Sequence, residues 1–185
     1  MMDEQRREGT LFLVGFILTI PAANWMIGHV GTVCAAEGPC VIPVGFGQMA
    51  PSGVLVVGAG LVLRDLVQRR LGLLAAFLAV LLGAALSAML APPALVLAST
   101  LAFLLGELLD LAVYTPLQRR NLVVAVLLSG LAGLVADSIA FLWVAFGSLN
   151  FLLGQVLGKT WMVLLALPLV SWLRQRDARR GLQTA

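Results

Sequence analysis

Hydrophobic residues in this chain form six long runs, separated by short connections that hold most of the charged residues. Most runs are close to the ~20 residues that a helix needs to cross about 30 Å of hydrocarbon. We interpret the runs as helices, because a few open strands cannot satisfy their backbone hydrogen bonds in lipid. The pattern therefore predicts one all-α integral membrane domain over residues 1–185, with six transmembrane helices at about 11–29, 50–67, 72–91, 93–116, 122–147 and 151–173.

Basic residues lie on alternate connections between the runs. They occur before the first run and after the second, fourth and sixth runs, and the intervening connections have none. A six-span topology puts eleven of the twelve basic residues on one side, which the positive-inside rule makes cytoplasmic. We therefore expect both termini in the cytoplasm. The residues on that side are Arg6, Arg7, Arg64, Arg69, Arg70, Arg119, Arg120, Arg174, Arg176, Arg179 and Arg180.

Composition agrees with a membrane protein. The chain is 61% hydrophobic and 11% charged, with a mean hydropathy of +1.01, which excludes a water-soluble domain. The isoelectric point of about 9.5 does not indicate nucleic-acid binding, because the arginines form no dense patch. Their expected role is to orient the chain and to contact the anionic headgroups of the lipid bilayer.

The first predicted extracytoplasmic connection, Gly31 to Met49, contains both cysteines of the chain, Cys34 and Cys40. An oxidising compartment permits a disulfide between them but does not require one, so two free thiols are the alternative. The connection is too hydrophobic for a solvated linker, and we expect it to fold back over the mouth of the bundle. We expect no metal site, since the single histidine, His29, has no carboxylate beside it.

Small residues recur at four-residue steps in two of the predicted spans. One stripe runs from Ala75 to Ala91 in the third span, and Gly154 and Gly158 repeat the spacing in the sixth span. Such stripes let helices approach closely. Packing within the molecule is the simpler explanation, and a homodimer interface is the alternative.

Polar and aromatic side chains inside the apolar runs are the candidate binding residues. Ionisable groups at that depth cost several kcal/mol unless they are paired or hydrated, so they should face the bundle interior. Lys159 could neutralise Asp137 or Glu107, or it could contact a ligand. Asp110 could instead pair with arginines at the cytoplasmic end. The candidates are Asn24, Trp25, Glu107, Asp110, Asp137, Gln155, Lys159 and Trp161.

These carboxylates outnumber the single lysine, so either some are protonated or they await a ligand rich in hydrogen-bond donors. The chain has no serine-hydrolase elbow, zinc-protease motif or phosphate-binding loop, and we expect no enzyme and no cofactor. Scattered acids also make no ring of the kind that selects ions in channels. A carrier for a small solute fits best. The alternative is a non-transporting membrane interaction or assembly subunit, for which buried acids around a pocket would be unnecessary.

Four segments of the chain resemble the signatures of the VUT family of queuosine-precursor transporters. They are Asp65–Gly72, Gly106–Tyr114, Ala136–Phe141 and Gly154–Lys159. The resemblance implies uptake of 7-cyano-7-deazaguanine, and also of its 7-aminomethyl relative, across the inner membrane of a prokaryote to supply tRNA queuosine synthesis. It implies a six-helix bundle similar to the substrate-binding subunits of energy-coupling-factor vitamin transporters. This chain has Glu107 and Leu134 where longer members have glutamine and a polar residue, which would alter the preference among deazapurines.

Several alternatives stay open within that resemblance. The chain could couple uptake to protons, facilitate diffusion, or serve as a binding subunit for a separate ATPase module, including one for another vitamin-type substrate. For a deazaguanine, a carboxylate of Glu107 or Asp137 would accept the ring N–H and the exocyclic amine. Lys159 or an amide would meet the carbonyl, Gln155 and Asn24 would complete the hydrogen bonds, and Trp25 or Trp161 would stack on the base.

Overall fold

The computed structural model describes residues 2–34, 39–91 and 93–181, and 81% of these residues are helical. Of the connection that was expected to cover the bundle mouth, residues 35–38 lie outside the described part. In the described part, the helices are α1 Met2–His29, α2 Val54–Leu71, α3 Leu73–Leu90, α4 Val96–Leu117, α5 Leu122–Phe146 and α6 Leu152–Arg179. The strands are β1 Val33–Cys34, β2 Cys40–Gly45 and β3 Gln48–Pro51.

Five of these helices are long and apolar enough to cross a membrane, namely α1, α3, α4 with its preceding turn, α5 and α6. The chain is therefore a multi-pass helical membrane protein, as predicted. Helix α2 is not among the five, because its 18 residues include four charged ones, Arg64, Asp65, Arg69 and Arg70. It also packs against each of the other five helices. Helix α2 is thus the central element, shielded from lipid by its neighbours.

The sequence assignment of Arg64, Arg69 and Arg70 to a connection is wrong. All three lie within α2, all three are buried, and Gly72 alone separates α2 from α3. Gly72 has φ +90°, a conformation that side chains disfavour. On a helix that faces lipid, an arginine marks the end of the span, because its charge is costly in hydrocarbon. In α2 the arginines instead face carboxylates of neighbouring helices, so the helix continues through them.

One end of the bundle holds a network of ion pairs that joins α1, α2 and α6. Glu8 of α1 contacts Arg70 at 2.9 Å and Arg176 at 2.5 Å, and Asp177 contacts Arg69 at 2.7 Å and Arg70 at 2.9 Å. The start of α1 and the end of α6 therefore lie at the same end of the bundle. We call it the arginine-rich end. It also includes the α4–α5 turn, because Arg174 donates to Asn121 at 3.3 Å.

Two glycines bring α4 and α5 together. A Cβ atom on Gly106 would lie 2.6 Å from the Cβ of Asp137, and one on Gly133 would lie 2.8 Å from the Cβ of Asp110. Real side chains do not pack at such distances. The absence of a side chain at each glycine lets the facing acidic residue sit at the helix crossing, so these glycines position Asp110 and Asp137.

The glycines of α6 also serve packing within the molecule. A Cβ atom on Gly158 would lie 2.6 Å from Val54 of α2, and one on Gly154 would overlap the carbonyl oxygen of Met49 in β3. The expected intramolecular role of this small-residue pair agrees with these contacts. The pair fixes both the central helix and the sheet against α6.

The expectation of an all-α chain is incomplete, because the segment between α1 and α2 forms an antiparallel sheet in the order β1-β2-β3. Cys34 and Cys40 are paired across β1 and β2 and form a disulfide. The sheet packs on α6, where the indole Nε1 of Trp161 donates to the Val44 carbonyl at 2.8 Å. Pairing between strands satisfies the backbone of this segment where no helix is available.

Candidate binding cavity

A cavity opens among the six helices, close to the point where β3 leads into α2. It encloses about 790 Å³ of empty space, a volume that includes its open mouth. Its walls combine aliphatic side chains with two aromatic rings, Phe103 and Phe141. The polar side chains that line it are Thr19, Asn24, Ser87, Ser99, Glu107, Asp137, Gln155 and Lys159.

Lys159 organises one wall of the cavity. Its ammonium forms an ion pair with Oδ2 of Asp137, donates to Oε1 of Gln155 at 2.8 Å and donates to Oγ of Ser138 at 2.9 Å. An ammonium has three N–H groups, so all of its donors are used. Lys159 is therefore the counter-ion of Asp137 and not of Glu107, and it holds Asp137 and Gln155 in fixed orientations.

Arg64 organises a second group of charges next to the cavity. Its guanidinium contacts Oε2 of Glu107 at 3.0 Å, Oδ1 of Asp65 at 2.8 Å and Oδ1 of Asp110 at 2.7 Å. Ser129 donates to the other oxygen of Asp65 at 3.2 Å. Arg64 is 0% exposed. We call these five residues the Arg64 cluster.

Glu107 belongs both to the cavity lining and to the Arg64 cluster. It lines the cavity and it pairs with Arg64. The guanidinium holds Oε2, whereas Oε1 makes no hydrogen bond with any residue that the structure describes. One carboxylate thus joins the cavity to the Arg64 cluster.

Five of the eight residues predicted from the sequence line the cavity. They are Asn24, Glu107, Asp137, Gln155 and Lys159. The other three do not line it.

Asp110 is fully buried and pairs with Arg64 of α2, so it is neither a cavity residue nor a partner of the arginines that follow α4. Trp25 is 58% exposed and stacks on His29, with ring centroids 5.1 Å apart. Trp161 is 41% exposed and bonded to the sheet. The two tryptophans therefore lie away from the cavity, and the structure brings neither stacking partner to it.

Sequence reasoning missed the charged half of α2 and the aromatic walls. Arg64 and Asp65 were treated as residues of a connection, although Asp65 opens one of the signature segments. Phe103 and Phe141 were passed over because phenylalanine in an apolar helix has no distinguishing signal. For Arg64 a signal existed, since the apolar run before it is shorter than a membrane-spanning helix.

Charges in the bundle interior do not balance. The interior groups described above include four carboxylates, Asp65, Glu107, Asp110 and Asp137, but two cations, Arg64 and Lys159. Buried charges need compensation in a medium of low dielectric constant. The excess of acceptors inferred from the sequence therefore persists after Arg64 is included.

A family model described as "Putative vitamin uptake transporter" matches residues 61–173. The matched region is more than half of the chain, and it contains the Arg64 cluster and every cavity acid. No curated protein and no solved structure matches the chain. The chain therefore belongs to the vitamin uptake transporter family.

Proposed function

We propose that this protein imports the queuosine precursor 7-cyano-7-deazaguanine, and its 7-aminomethyl relative, for tRNA modification. Family membership supports uptake of a small solute, and it argues against an enzyme. The observation that carries the choice of substrate is the hydrogen-bonding pattern of the cavity, in which unused acceptors and two aromatic side chains line the same space. A small planar base rich in N–H donors suits such a site.

The unused acceptors are carboxylate and amide oxygens. Glu107 Oε1 and Asp137 Oδ1 make no hydrogen bond within the described part of the chain, because Arg64 and Lys159 hold their other oxygens. Asn24 uses its amide N–H on the Ile20 carbonyl, which leaves its oxygen for a ligand. A deazaguanine offers a ring N–H and an exocyclic amine on one edge, and a carboxylate can accept both.

The donor for the base carbonyl is better assigned to Gln155 than to Lys159. All three N–H groups of Lys159 are occupied, whereas the Gln155 amide uses its oxygen on Lys159 and keeps its NH₂ group for a ligand. Of the two options that the sequence left open for the carbonyl, the geometry favours the amide. Lys159 then acts by orienting Gln155 and Asp137.

Aromatic contact would come from Phe103 and Phe141, which line the cavity. An offset or edge contact between a ring and a planar base contributes about 0.5–1.5 kcal/mol beyond area burial. The polar groups supply discrimination, because bases that lack the donor edge would leave buried oxygens unpaired. An assembly subunit has no need of such a cavity, which favours the carrier over that alternative.

The test is uptake by cells that cannot make queuosine, measured as queuosine in tRNA after labelled 7-cyano-7-deazaguanine is supplied. Glu107→Gln and Asp137→Asn should each lower substrate affinity by about 10- to 150-fold, the value of one charge-assisted hydrogen bond. Glu4→Gln is the matched control, because Glu4 is a half-exposed acid far along α1 from the cavity. Membrane abundance is measured in parallel. Normal uptake by both cavity variants at normal abundance would remove the assignment.

We also propose that the arginine-rich end faces the cytoplasm and that α2 counts as the sixth span. The positive-inside rule supports this orientation, since the connections at the opposite end have no basic residue. Reporter fusions after Arg70, Arg120 and Arg180 should report cytoplasm, and a fusion at Ser148 should report the outside. An outside result after Arg120 would contradict both the orientation and the count.

A further inference from the structure

We propose that the Arg64 cluster is a proton site, and that protons passing through it drive uptake. The inference rests on the proposed function for the identity of the solute, but its geometry is independent of that identity. Three carboxylates, Asp65, Glu107 and Asp110, surround the single cation Arg64 at 2.7–3.0 Å. Such a group carries excess negative charge in the bundle interior unless it holds a proton.

A row of unpaired buried oxygens leads away from this cluster. Glu107, Asp110, Tyr114 and Gln118 follow one another at three- and four-residue steps, so they share one face of α4. Each is more than nine-tenths buried, as is Gln68 on the facing side of α2. The Asp110 Oδ2, Tyr114 Oη, Gln118 Oε1 and Gln68 Oε1 atoms have no hydrogen-bond partner within the described residues.

Tyr114 connects the row to the cluster, since the Arg64 guanidinium lies 5.9 Å from the centre of its ring. Farther along, Gln68 Nε2 donates to Oγ1 of Thr115 at 3.1 Å, which ties α2 to α4 below Tyr114. Gln118 closes α4 next to Arg119, at the arginine-rich end. The polar row thus extends from the cavity to that end of an otherwise apolar bundle. Buried unpaired oxygens are rare and need an explanation. We infer that those spaced along this face of α4 carry protons between the cluster and the arginine-rich end.

Glu107 couples the two processes because it faces both the cavity and Arg64. When it accepts the donor edge of a base, it must be the anion. A proton held on Glu107 therefore passes to Asp110 or Asp65, and it leaves along the row when the base is released. The step breaks one carboxylic O–H bond and forms another, with no redox change. Among the described residues, the other charged groups beside the cluster and the cavity are Asp137 on α5 and Lys159 on α6, while Arg69 of α2 pairs with Asp177 at the arginine-rich end.

A proton suits the cluster better than a metal cation does. The guanidinium occupies the centre of the three carboxylates and contacts an oxygen of each. A sodium ion would have to compete with Arg64 for those same oxygens. A proton needs a single oxygen, and Asp110 Oδ2 is one that has no partner among the described residues.

The experiment uses the purified full chain in liposomes and compares two kinds of transport. Exchange of labelled for unlabelled 7-cyano-7-deazaguanine at equal pH reports binding and movement of the base. Accumulation driven by an imposed pH gradient, with the outside acidic and the membrane potential clamped to zero, reports coupling. One proton per base should give about tenfold accumulation per pH unit, because equal concentration ratios carry equal free energy.

Asp65→Asn is the diagnostic variant, because Asp65 does not line the cavity and asparagine keeps a partner for Ser129. Exchange should persist, and accumulation should fall to the level seen when the pH is equal on both sides. Asp110→Asn is the second variant if the first is not stably produced, and Glu4→Gln should retain both activities. Exchange without pH-driven accumulation in the unaltered protein would overturn the coupling and leave the proposed substrate intact. Accumulation that follows a sodium gradient at equal pH would also overturn it.

Infrared spectroscopy tests the proton site without any substrate. The unaltered protein at neutral pH should show the band of a protonated buried carboxyl group, and Asp65→Asn should shift or remove it. Absence of that band overturns the proposal whatever the solute is. Its presence together with failed exchange of the deazaguanine would leave the proton site standing and would reject the proposed substrate.

Discussion

Replacing Arg64 by methionine tests the energetic role of the Arg64 cluster. The substitution removes the guanidinium that contacts Glu107, Asp65 and Asp110 at 3.0, 2.8 and 2.7 Å, and it keeps a similar apolar stem. All four side chains are at most 5% exposed, so water cannot replace the lost cation. Three carboxylates would then remain together in the bundle interior.

Removing one partner of a buried ion pair costs about 3–5 kcal/mol, because the remaining charge is left uncompensated. This is a large share of the roughly 5–15 kcal/mol that stabilises a typical folded domain. We expect Arg64→Met to lower the thermal midpoint of the detergent-purified protein strongly and to reduce its abundance in the membrane. The thermal midpoint of Arg64→Lys should lie between those of Arg64→Met and the unaltered protein, because an ammonium lacks the planar fork that meets several carboxylates at once.

Arg180→Met is the matched control for that measurement. Arg180 pairs with Glu4 at 2.6 Å, but the two side chains are 46% and 54% exposed. Exposed pairs contribute about 0.2–1 kcal/mol, so this variant should unfold close to the unaltered protein. Equal midpoints for Arg64→Met and Arg180→Met would refute the assignment of Arg64 as the charge that holds α2 and α4 together.

Two further predictions concern the helix crossing and the cavity wall. Gly133→Ala should lower thermal stability by about 1–3 kcal/mol, because its Cβ would lie 2.8 Å from that of Asp110. Gly130→Ala on the same helix meets only ordinary contacts at 3.4 Å and should be neutral, and equal losses for the two would contradict the close crossing. Lys159→Met should reduce abundance by stranding Asp137, and adding Asp137→Asn should restore abundance but not uptake. If the double substitution does not restore abundance, the loss in Lys159→Met does not come from an unpaired Asp137.

Much of the fold could be predicted from hydrophobic runs because lipid imposes a single solution on each of them. A helix that faces hydrocarbon must be mostly apolar over about 20 residues, so α1, α3, α4, α5 and α6 are evident in the sequence. The same reasoning fails for α2, since a helix enclosed by other helices is free to carry charge. Its length gives the correction, because the apolar run before Arg64 is too short for a span and becomes adequate only when it continues to Leu71.

The polar half of the cavity could also be predicted, because an ionisable side chain inside a span has few roles. Asp137, Gln155 and Lys159 meet at the cavity as that argument requires. Their pairing could not be read from sequence, since Lys159 had two acids within plausible reach. The choice depends on Arg64, which occupies Glu107 and leaves Asp137 to the lysine.

The sequence and the structure assign different aromatic residues to contact with the ligand. The sequence offers Trp25 or Trp161 for stacking on a planar ligand. In the structure, Trp25 stacks on His29 and is 58% exposed, whereas Phe103 and Phe141 line the cavity. Exposure at that level on a membrane helix is typical of an aromatic side chain at the lipid interface.

Phe141→Leu and Trp25→Leu therefore make opposite predictions. Leucine keeps most of the apolar volume and removes the aromatic face, so Phe141→Leu should weaken deazapurine binding by about 0.5–1.5 kcal/mol, or about 2- to 12-fold. Trp25→Leu should leave affinity unchanged, because its ring does not line the cavity. Equilibrium binding to the purified variants measures both, and their thermal midpoints show whether either has lost its fold. A loss of affinity confined to Trp25→Leu would mean that the base binds nearer the outer end of α1 than the cavity does, and the contacts proposed for Gln155 and Glu107 would then have to be abandoned.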